Sequence, residues 1–388
     1  MHGHGLRSGQ HTPPPAAAPL APIKFDGVPL RTDKIAGALP NVESAVIRGR
    51  TTVAVFTHKS EPALTAVDTQ TGAVNWRYRA REGSLLGGDG ATLAFGPVSL
   101  HVVGANADAV IVKYDKGEER GIAALSGKDG RVLWKNALLP ATGKDGRRVV
   151  NDPAALSLAD VNDHVAVVGI LRSEPARPED RRTVAVDLAT GATRWQQHGV
   201  LPTRIVGDTV LATVPIPYTG QAPKRLPIVG LDLATGTRRW DLTARYPNAE
   251  PRASAGGLAV LAVFSGSGDH QQKAVVLQAN TGAELTGFGD AQIADCAADQ
   301  TMIACVTLLA GKVTLSTLRV DERAIQTSAN TVAPVLHGVW QGRIFAGRAM
   351  VDRAANELGP APGRLVAISE QNAIFATDDG YAVHRIVG

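Results

Sequence analysis

The hydrophobic residues of this chain fall in short runs, many of them β-branched, each ended by a residue that turns the backbone. Val53-Ala54-Val55-Phe56, Thr183-Val184-Ala185-Val186 and Pro227-Ile228-Val229-Gly230-Leu231 are such runs. Their length suits strands rather than helices, which need about 10–12 periodic positions. The runs come in pairs around turn signals. Ala45-Val46-Ile47 reverses at Arg48-Gly49-Arg50 into Val53, Leu158 reverses around Asn162-Asp163 into Val168, and Arg204-Ile205-Val206 reverses at Gly207-Asp208 into Val210-Leu211-Ala212. Leu258 to Phe264 after Gly256-Gly257, and Gly338-Val339-Trp340 before Gln341-Gly342 and Ile344-Phe345, repeat the arrangement. Glycine and aspartate favour tight reversals at such points. The pattern predicts antiparallel hairpins along the whole chain.

A second hairpin follows each of these and carries a recurring phrase. Ala66-Val67-Asp68-Thr69-Gln70-Thr71-Gly72 is followed by Trp76, Ala185-Val186-Asp187-Leu188-Ala189-Thr190-Gly191 by Trp195, and Gly230-Leu231-Asp232-Leu233-Ala234-Thr235-Gly236 by Trp240. A variant has Ala124, Ser126, Asp129-Gly130 and Trp134, and a degenerate copy has Gln278, Thr281-Gly282 and Thr286 in place of the tryptophan. In the four good copies the tryptophan stands four residues after the glycine. Chance does not hold that spacing four times. The Asp ends a strand, because its carboxylate can accept N–H bonds from the turn. The glycine supplies the positive φ that closes it. The indole then lies on the returning strand, where it can bury up to ~250 Å² between sheets. Trp76, Trp134, Trp195 and Trp240, and Trp340 on its own strand, are core residues in this scheme and not ligand cages.

Two hairpins make one unit of four antiparallel strands, A to D, with the phrase at the C–D turn. The signature glycines 72, 130, 191, 236 and 282 are 58, 61, 45 and 46 residues apart. Four strands per ~40–50 residues, repeated radially, predict an all-β fold, a β-propeller of four-stranded antiparallel blades. Hairpins open near Glu43, Leu85, Leu156, Arg204, Ala253, Ala294, Leu336 and Val366. Eight blades are favoured, and seven stays open because the last two units are diverged. Phe25-Asp26-Gly27-Val28-Pro29-Leu30 is the candidate outer strand that closes the ring, since an unclosed ring leaves sheet edges unpaired.

Composition then narrows the class. The chain has 388 residues, 44% hydrophobic, 20% charged and only 4% aromatic, with 41 Gly and 23 Pro. That many turn formers argues against a helical bundle. No run of 18 apolar residues occurs, so no membrane-spanning helix is expected. The formal charge of +4 is too small for a nucleic-acid-binding signature. Residues 1–22, with Pro13, Pro14, Pro15, Pro19 and Pro22 and no apolar signal region, read as a disordered Pro/Ala-rich linker or leader, and 23–388 as a single propeller domain. Such a spacer fits a domain tethered near a membrane whose signal has been removed, or equally an added leader. His2 and His4 fit a tag better than a metal site. A turn at Gln300-Thr301 puts Cys296 and Cys305 opposite one another, within reach of a disulfide, with two buried thiols as the alternative. An oxidised bridge supports an extracytoplasmic location.

The phrase Ala-x-Asp-x-x-Thr-Gly-x-x-x-Trp resembles the tryptophan-docking motif of the PQQ-like, quinoprotein-type propeller family. The length resembles its smaller, non-enzymatic BamB-like branch. The Ala-rich, Arg-over-Lys composition looks actinobacterial, where the BamB-type assembly role is not expected to transfer. Quinoprotein dehydrogenases of the family carry a vicinal disulfide over the cofactor. Cys296 and Cys305 are nine apart, so PQQ is not expected and no cofactor is assigned.

Loop lengths locate the candidate site. The A–B and C–D turns are short, whereas the B–C connections Gly104 to Arg120, Arg172 to Arg182, Pro215 to Pro227, Ser265 to Lys273 and Gly347 to Gly363 read as long, with the crossover Pro140 to Pro153 on the same face. Long loops on a rigid scaffold concentrate binding residues. The candidate binding face is Arg147, Arg148, Arg172, Arg177, Arg181, Arg182, Tyr218, Lys224, Arg225 and His270, a composition frequent at interfaces; a solvated rim without a partner is the bland alternative. No G-x-S-x-G, H-E-x-x-H, P-loop or zinc spacing is present. Gly266-Ser267-Gly268-Asp269 reads as a loop, and Asp160-Val161-Asn162-Asp163 as a polar turn rather than a calcium site. The expectation is a non-catalytic binding or scaffold protein of the bacterial cell envelope, secreted or a lipoprotein. Its partner is a protein or an envelope polymer, with no nucleic acid. A quinoprotein-like or hydrolytic enzyme with an axial site, or a receptor's sensor domain, is the alternative.

Overall fold

The computed structural model describes residues 20–34, 41–48, 51–57, 63–79, 92–93, 100–103, 109–116, 119–139, 156–171, 181–214, 226–265, 271–378 and 380–387. Its regular structure there is all strand, arranged in eight antiparallel sheets. The first is Asn41–Arg48, Thr51–Thr57, Ala63–Asp68 and Val74–Arg79, strands A to D from the inside out. The third runs from Leu156–Val161 through Val165–Leu171 and Arg181–Asp187 to Thr193–His198, and the fourth from Leu201–Val206 through Thr209–Thr213 and Ile228–Asp232 to Arg238–Asp241. The fifth, sixth and seventh begin at Ala249–Ala255, Gln292–Ala298 and Leu336–Trp340 and repeat the order.

The inner strands touch in cyclic order, and that of the eighth sheet, Arg364–Ile368, meets that of the first. The apolar core lies between sheets and not within them. Ile111, Ile122, Leu158 and Val168 join the second to the third, Val167, Val210 and Val229 the third to the fourth, and Val260, Val276 and Ile303 the fifth to the sixth. A strand with both faces covered this way reads as a continuous apolar run, as Leu258–Phe264 does, all seven positions buried.

The eighth sheet closes with the N-terminal segment. Its outer positions are Lys24–Phe25 and Arg31–Lys34, both paired antiparallel with Gly380–Val387. The segment expected to be the strand, Phe25 to Leu30, therefore bridges two short pieces. Asp26 N donates to Arg385 O at 3.0 Å and Leu30 N to Val383 O at 2.8 Å, and Asp26 O lies 3.0 Å from His384 Nδ1. Ala21, placed above in the linker, accepts from Arg343 Nε at 2.9 Å.

Two loop expectations are corrected. Gly104 to Arg120 is not a B–C loop: Ala109–Lys116 is strand B and Glu119–Ser126 strand C of the second sheet, whose inner edge is Thr92–Leu93 and Leu100–Val103. Leu85 lies outside the described residues. Gly347 to Gly363 likewise contains two strands, Ala349–Val351 and Glu357–Pro360. In the first stretch the apolar run Ala109-Val110-Ile111-Val112 carried the strand signal, and in the second the strands are only 3 and 4 residues long.

Candidate functional site

The signature phrase builds the turn that places everything else. In the third sheet Asp187 Oδ1 accepts from Ala189 N at 3.0 Å, Thr190 N at 2.9 Å and Thr190 Oγ1 at 2.9 Å, while Gly191 N donates to Asp187 O at 2.8 Å. Asp68 and Asp232 do the same in their sheets. The glycines Gly72, Gly130, Gly191, Gly236 and Gly282 have φ between 70° and 75°, a region that costs other residues about 1–2 kcal/mol. Arg194 adds a further pair of bonds to Asp187 Oδ2, at 3.0 and 2.6 Å. Those bonds first, then the turn donors, hold the Asp187 carboxyl down at about 2.

Each of the four signature tryptophans docks on the next sheet's turn. The indole Nε1 of Trp76 donates to Gly127 O at 3.0 Å, Trp134 to Leu188 O at 2.8 Å, Trp195 to Leu233 O at 2.8 Å and Trp240 to Ala279 O at 2.7 Å. The rings lie over Gly130, Gly191, Gly236 and Gly282, so close that a Cβ there would sit 3.0, 2.6, 2.6 and 2.8 Å from indole carbon. Glycine is thus required twice, by φ and by the ring. Trp240 meets Gly282 of the degenerate fifth copy, which keeps the glycine although it has Thr286 where its own tryptophan should be.

The predicted binding residues divide. Arg147, Arg148, Arg172, Arg177, Tyr218, Lys224, Arg225 and His270 lie outside the described residues. Arg181 and Arg182 are not loop residues: they open strand C of the third sheet, paired with Leu171 and Ile170. Both are half-buried. Arg182 Nη2 donates to Leu138 O at 2.9 Å and Nη1 to Gln196 Oε1 at 3.2 Å, so it ties the third sheet to the second. The apolar stretch after it outweighed the two charges and drew them into the strand. Cys296 and Cys305 pair directly across strands A and B of the sixth sheet, with their sulfurs bonded. Among the described residues no group of three or more metal-ligating side chains occurs.

A cavity of about 730 Å³ opens where the inner strands end in their A–B turns. Asp160–Asp163, Ile205–Gly207, Ser254–Gly257, Ala298–Gln300 and Val339–Trp340 line it, from five successive sheets, with Ile368 of the eighth. Two of its carboxylates, Asp160 and Asp299, do structural work. Asp160 Oδ1 accepts from Val161 N at 2.8 Å and Oδ2 from Ile205 N of the next sheet at 2.9 Å. Asp299 Oδ1 accepts from Thr301 N and Met302 N, and Oδ2 reaches Gln341 N of the next sheet at 2.8 Å. Deeper along the same inner strand, Asp295 bonds Cys296 N and Leu336 N at 2.9 and 2.8 Å. Asp160 and Asp295 each follow an irregularity in strand register, and such bulges re-aim side chains. Sequence reading missed these straps; the shared triplets Leu158-Ala159-Asp160 and Ile293-Ala294-Asp295 were the available signal. Asn162 Oδ1 accepts from His164 N and Val165 N at 2.8 Å, which makes the Asp160–Asp163 stretch a capped turn. On the same inner layer burial, and then the nearby Arg364 charge, push His337 below its usual range against the opposing pull of Asp295.

A family model described as outer membrane protein assembly factor BamB matches residues 40–170 and 101–295. No curated protein matches the chain. Among solved structures, BamB from Moraxella catarrhalis is 15% identical over 88% of this chain and 84% of its own, with a TM-score of 0.41. The computationally designed Ika8 protein is 11% identical over 91% and 98%, with a TM-score of 0.54. A europium-containing methanol dehydrogenase is 14% identical over 89% and 82%, with a TM-score of 0.45. At these identities the likeness concerns the fold.

Proposed function

Because the chain belongs to the PQQ-like propeller family described as outer membrane protein assembly factor BamB, we propose that it is a non-catalytic, protein-binding scaffold of the bacterial cell envelope. The eight sheets are read as eight blades. One observation carries the function: at the cavity mouth Asp160 and Asp299 have both oxygens committed to main-chain N–H groups. Carboxylates held so are fixed in place and poorly suited to proton transfer. They brace two of the five turns at the mouth, and a polar relief held in this way suits recognition of a partner surface. The bonded pair Cys296–Cys305 supports an oxidising, extracytoplasmic compartment. The stretches carrying Arg147, Arg148, Arg172 and Arg177, read from the sequence as long loops, are proposed as a second contact region.

The test is recovery of envelope partners by tagged protein, wild type against Gln300→Lys with Asp163→Lys at the mouth and Arg147→Glu with Arg148→Glu on the loops. A partner lost with one pair assigns the face, whereas equal recovery by all forms refutes the scaffold function at both. Addition of PQQ and calcium tests the enzymatic alternative: a bound-quinone absorbance with substrate-dependent dye reduction would replace the scaffold reading.

A further inference from the structure

Six inner hairpins close on a residue that lines the cavity of about 730 Å³. In five of them the last residue of strand A to pair with strand B is aliphatic: Val161, Val206, Ala255, Ala298 and Ile368. In the seventh sheet it is Trp340. Among the described residues this indole is the one aromatic ring on the cavity wall.

Trp340 also departs from the core role expected of it. The four signature tryptophans each spend the indole N–H on a carbonyl of the next sheet, whereas Trp340 Nε1 donates to no group among the described residues. The ring packs against the core of Phe345, Leu365 and Phe375 yet stays half-buried, so the fold holds it while part of it is left to the cavity. The other walls carry neutral polar groups with bonding capacity to spare. Asn162 Oδ1 takes two turn N–H groups, and its Nδ2 donates to nothing among the described residues. Gln300 is exposed, and its amide likewise bonds nothing there. Ser254 Oγ accepts from Arg204 Nη1 at 3.4 Å, which leaves its O–H to donate. No Arg, Lys or His lines the cavity, while Asp160, Asp163 and Asp299 do.

This combination has the chemistry of a sugar site. A pyranose with equatorial substituents offers an apolar face of C–H groups to an aromatic ring and a rim of hydroxyls that both donate and accept. Groups already fixed by the fold bind such a rim without an ordering cost. Asp160 and Asp299 are held by main-chain N–H groups and keep lone pairs for a hydroxyl donor. With carboxylates and no cation on the wall, a phosphate, a sulfate or a uronic acid meets repulsion. The volume lies within the range of ligand pockets, about 300–1,000 Å³. The geometry points to a binding site for a neutral oligosaccharide in the axial mouth, with one pyranose ring on Trp340 and its hydroxyls on Asn162, Ser254 and Gln300. The inference goes beyond the scaffold function proposed above, which places a protein on the rim of turns and leaves the recess itself without an occupant.

The probes are cellotriose, neutral and equatorially substituted, and trigalacturonic acid, with a carboxylate on every ring. Each is titrated into the full chain by saturation-transfer NMR and tryptophan fluorescence. Cellotriose binds at millimolar Kd, at least tenfold more tightly than the acid, with the strongest transfer to its ring C–H protons. Trp340→Leu keeps an apolar side chain against Phe345 but removes the flat face, and weakens cellotriose at least fivefold. Gln300→Ala removes no hydrogen bond within the described fold; it weakens cellotriose at least twofold at an unchanged unfolding midpoint, and it decides the matter should Trp340→Leu not fold. No binding of cellotriose, equal or tighter binding of the acid, or wild-type affinity in either folded variant overturns the inference. Protein that recovers envelope partners but binds no cellotriose would leave the scaffold function standing and remove only the sugar site.

Discussion

Gly191→Ala tests the double requirement on the signature glycine, and Gly199→Ala is its internal control. Both glycines have nearly the same backbone, φ 74° and 77°. Around Gly199 a Cβ would meet nothing within 4 Å, whereas at Gly191 it would stand 2.6 Å from Trp134 Cε3 and 2.7 Å from Cδ2. The left-handed backbone costs alanine about 1–2 kcal/mol, offset by about 0.4–1 kcal/mol because alanine restricts the unfolded chain. Gly199→Ala should therefore destabilise by roughly 1 kcal/mol or less. At Gly191 the indole must shift as well, yet its N–H is bonded to Leu188 O at 2.8 Å. Overpacking of that kind adds about 1–3 kcal/mol, for a total near 2–4 kcal/mol. Urea unfolding of both variants, with unchanged slopes, gives the difference directly. In a Trp134→Ala background the excess cost of Gly191→Ala should vanish. Equal destabilisation by the two alanines, or an excess that survives removal of Trp134, would refute the docking logic on which the sheet order rests.

Three further outcomes are expected. Trp195→Phe keeps most of the apolar contact but removes the N–H donated to Leu233 O at 2.8 Å; a loss of about 1–3 kcal/mol in chemical denaturation is expected for the stranded carbonyl, and no loss would mean water replaces the indole. Asp187 has its carboxyl lowered to about 2 by Arg194 and the turn, below the unfolded value of about 3.9; its contribution is present above pH ~4 and lost as pH falls toward 2, so the gap in thermal midpoint between wild type and Asp187→Asn should close over that window, and a constant gap would contradict the assignment. Replacing both Cys296 and Cys305 by Ala opens a loop of sequence separation 9, which the chain-entropy relation values at about 2–3 kcal/mol; an unchanged midpoint without reductant would show that the bridge constrains nothing.

Much of this molecule was legible along the chain because its repeat is local. Asp187, Thr190 and Gly191 close their turn with bonds spanning two to four residues, and strand D lies beside strand C with only a short link between them. Residue chemistry alone therefore specified the hairpins, the four-stranded unit and the role of the indoles. The sixth-sheet hairpin was equally local, so the facing of Cys296 and Cys305 followed from one turn.

Other features are contacts between distant residues, and no local pattern announces them. Asp160 is an ordinary turn acid until the next sheet brings Ile205 N to its second oxygen, 45 positions on. Arg182 looks like a loop charge until Leu138 O, 44 positions back, takes its guanidinium. The closing seam is the extreme case: Asp26 and His384 meet across 358 positions, where Lys24–Phe25 pairs with Gly380–Val387. Strand identity is set by alternation over a few neighbours, but the arrangement of the sheets, the straps between them and the cavities they leave follow from which edges remain unpaired once every hairpin has formed.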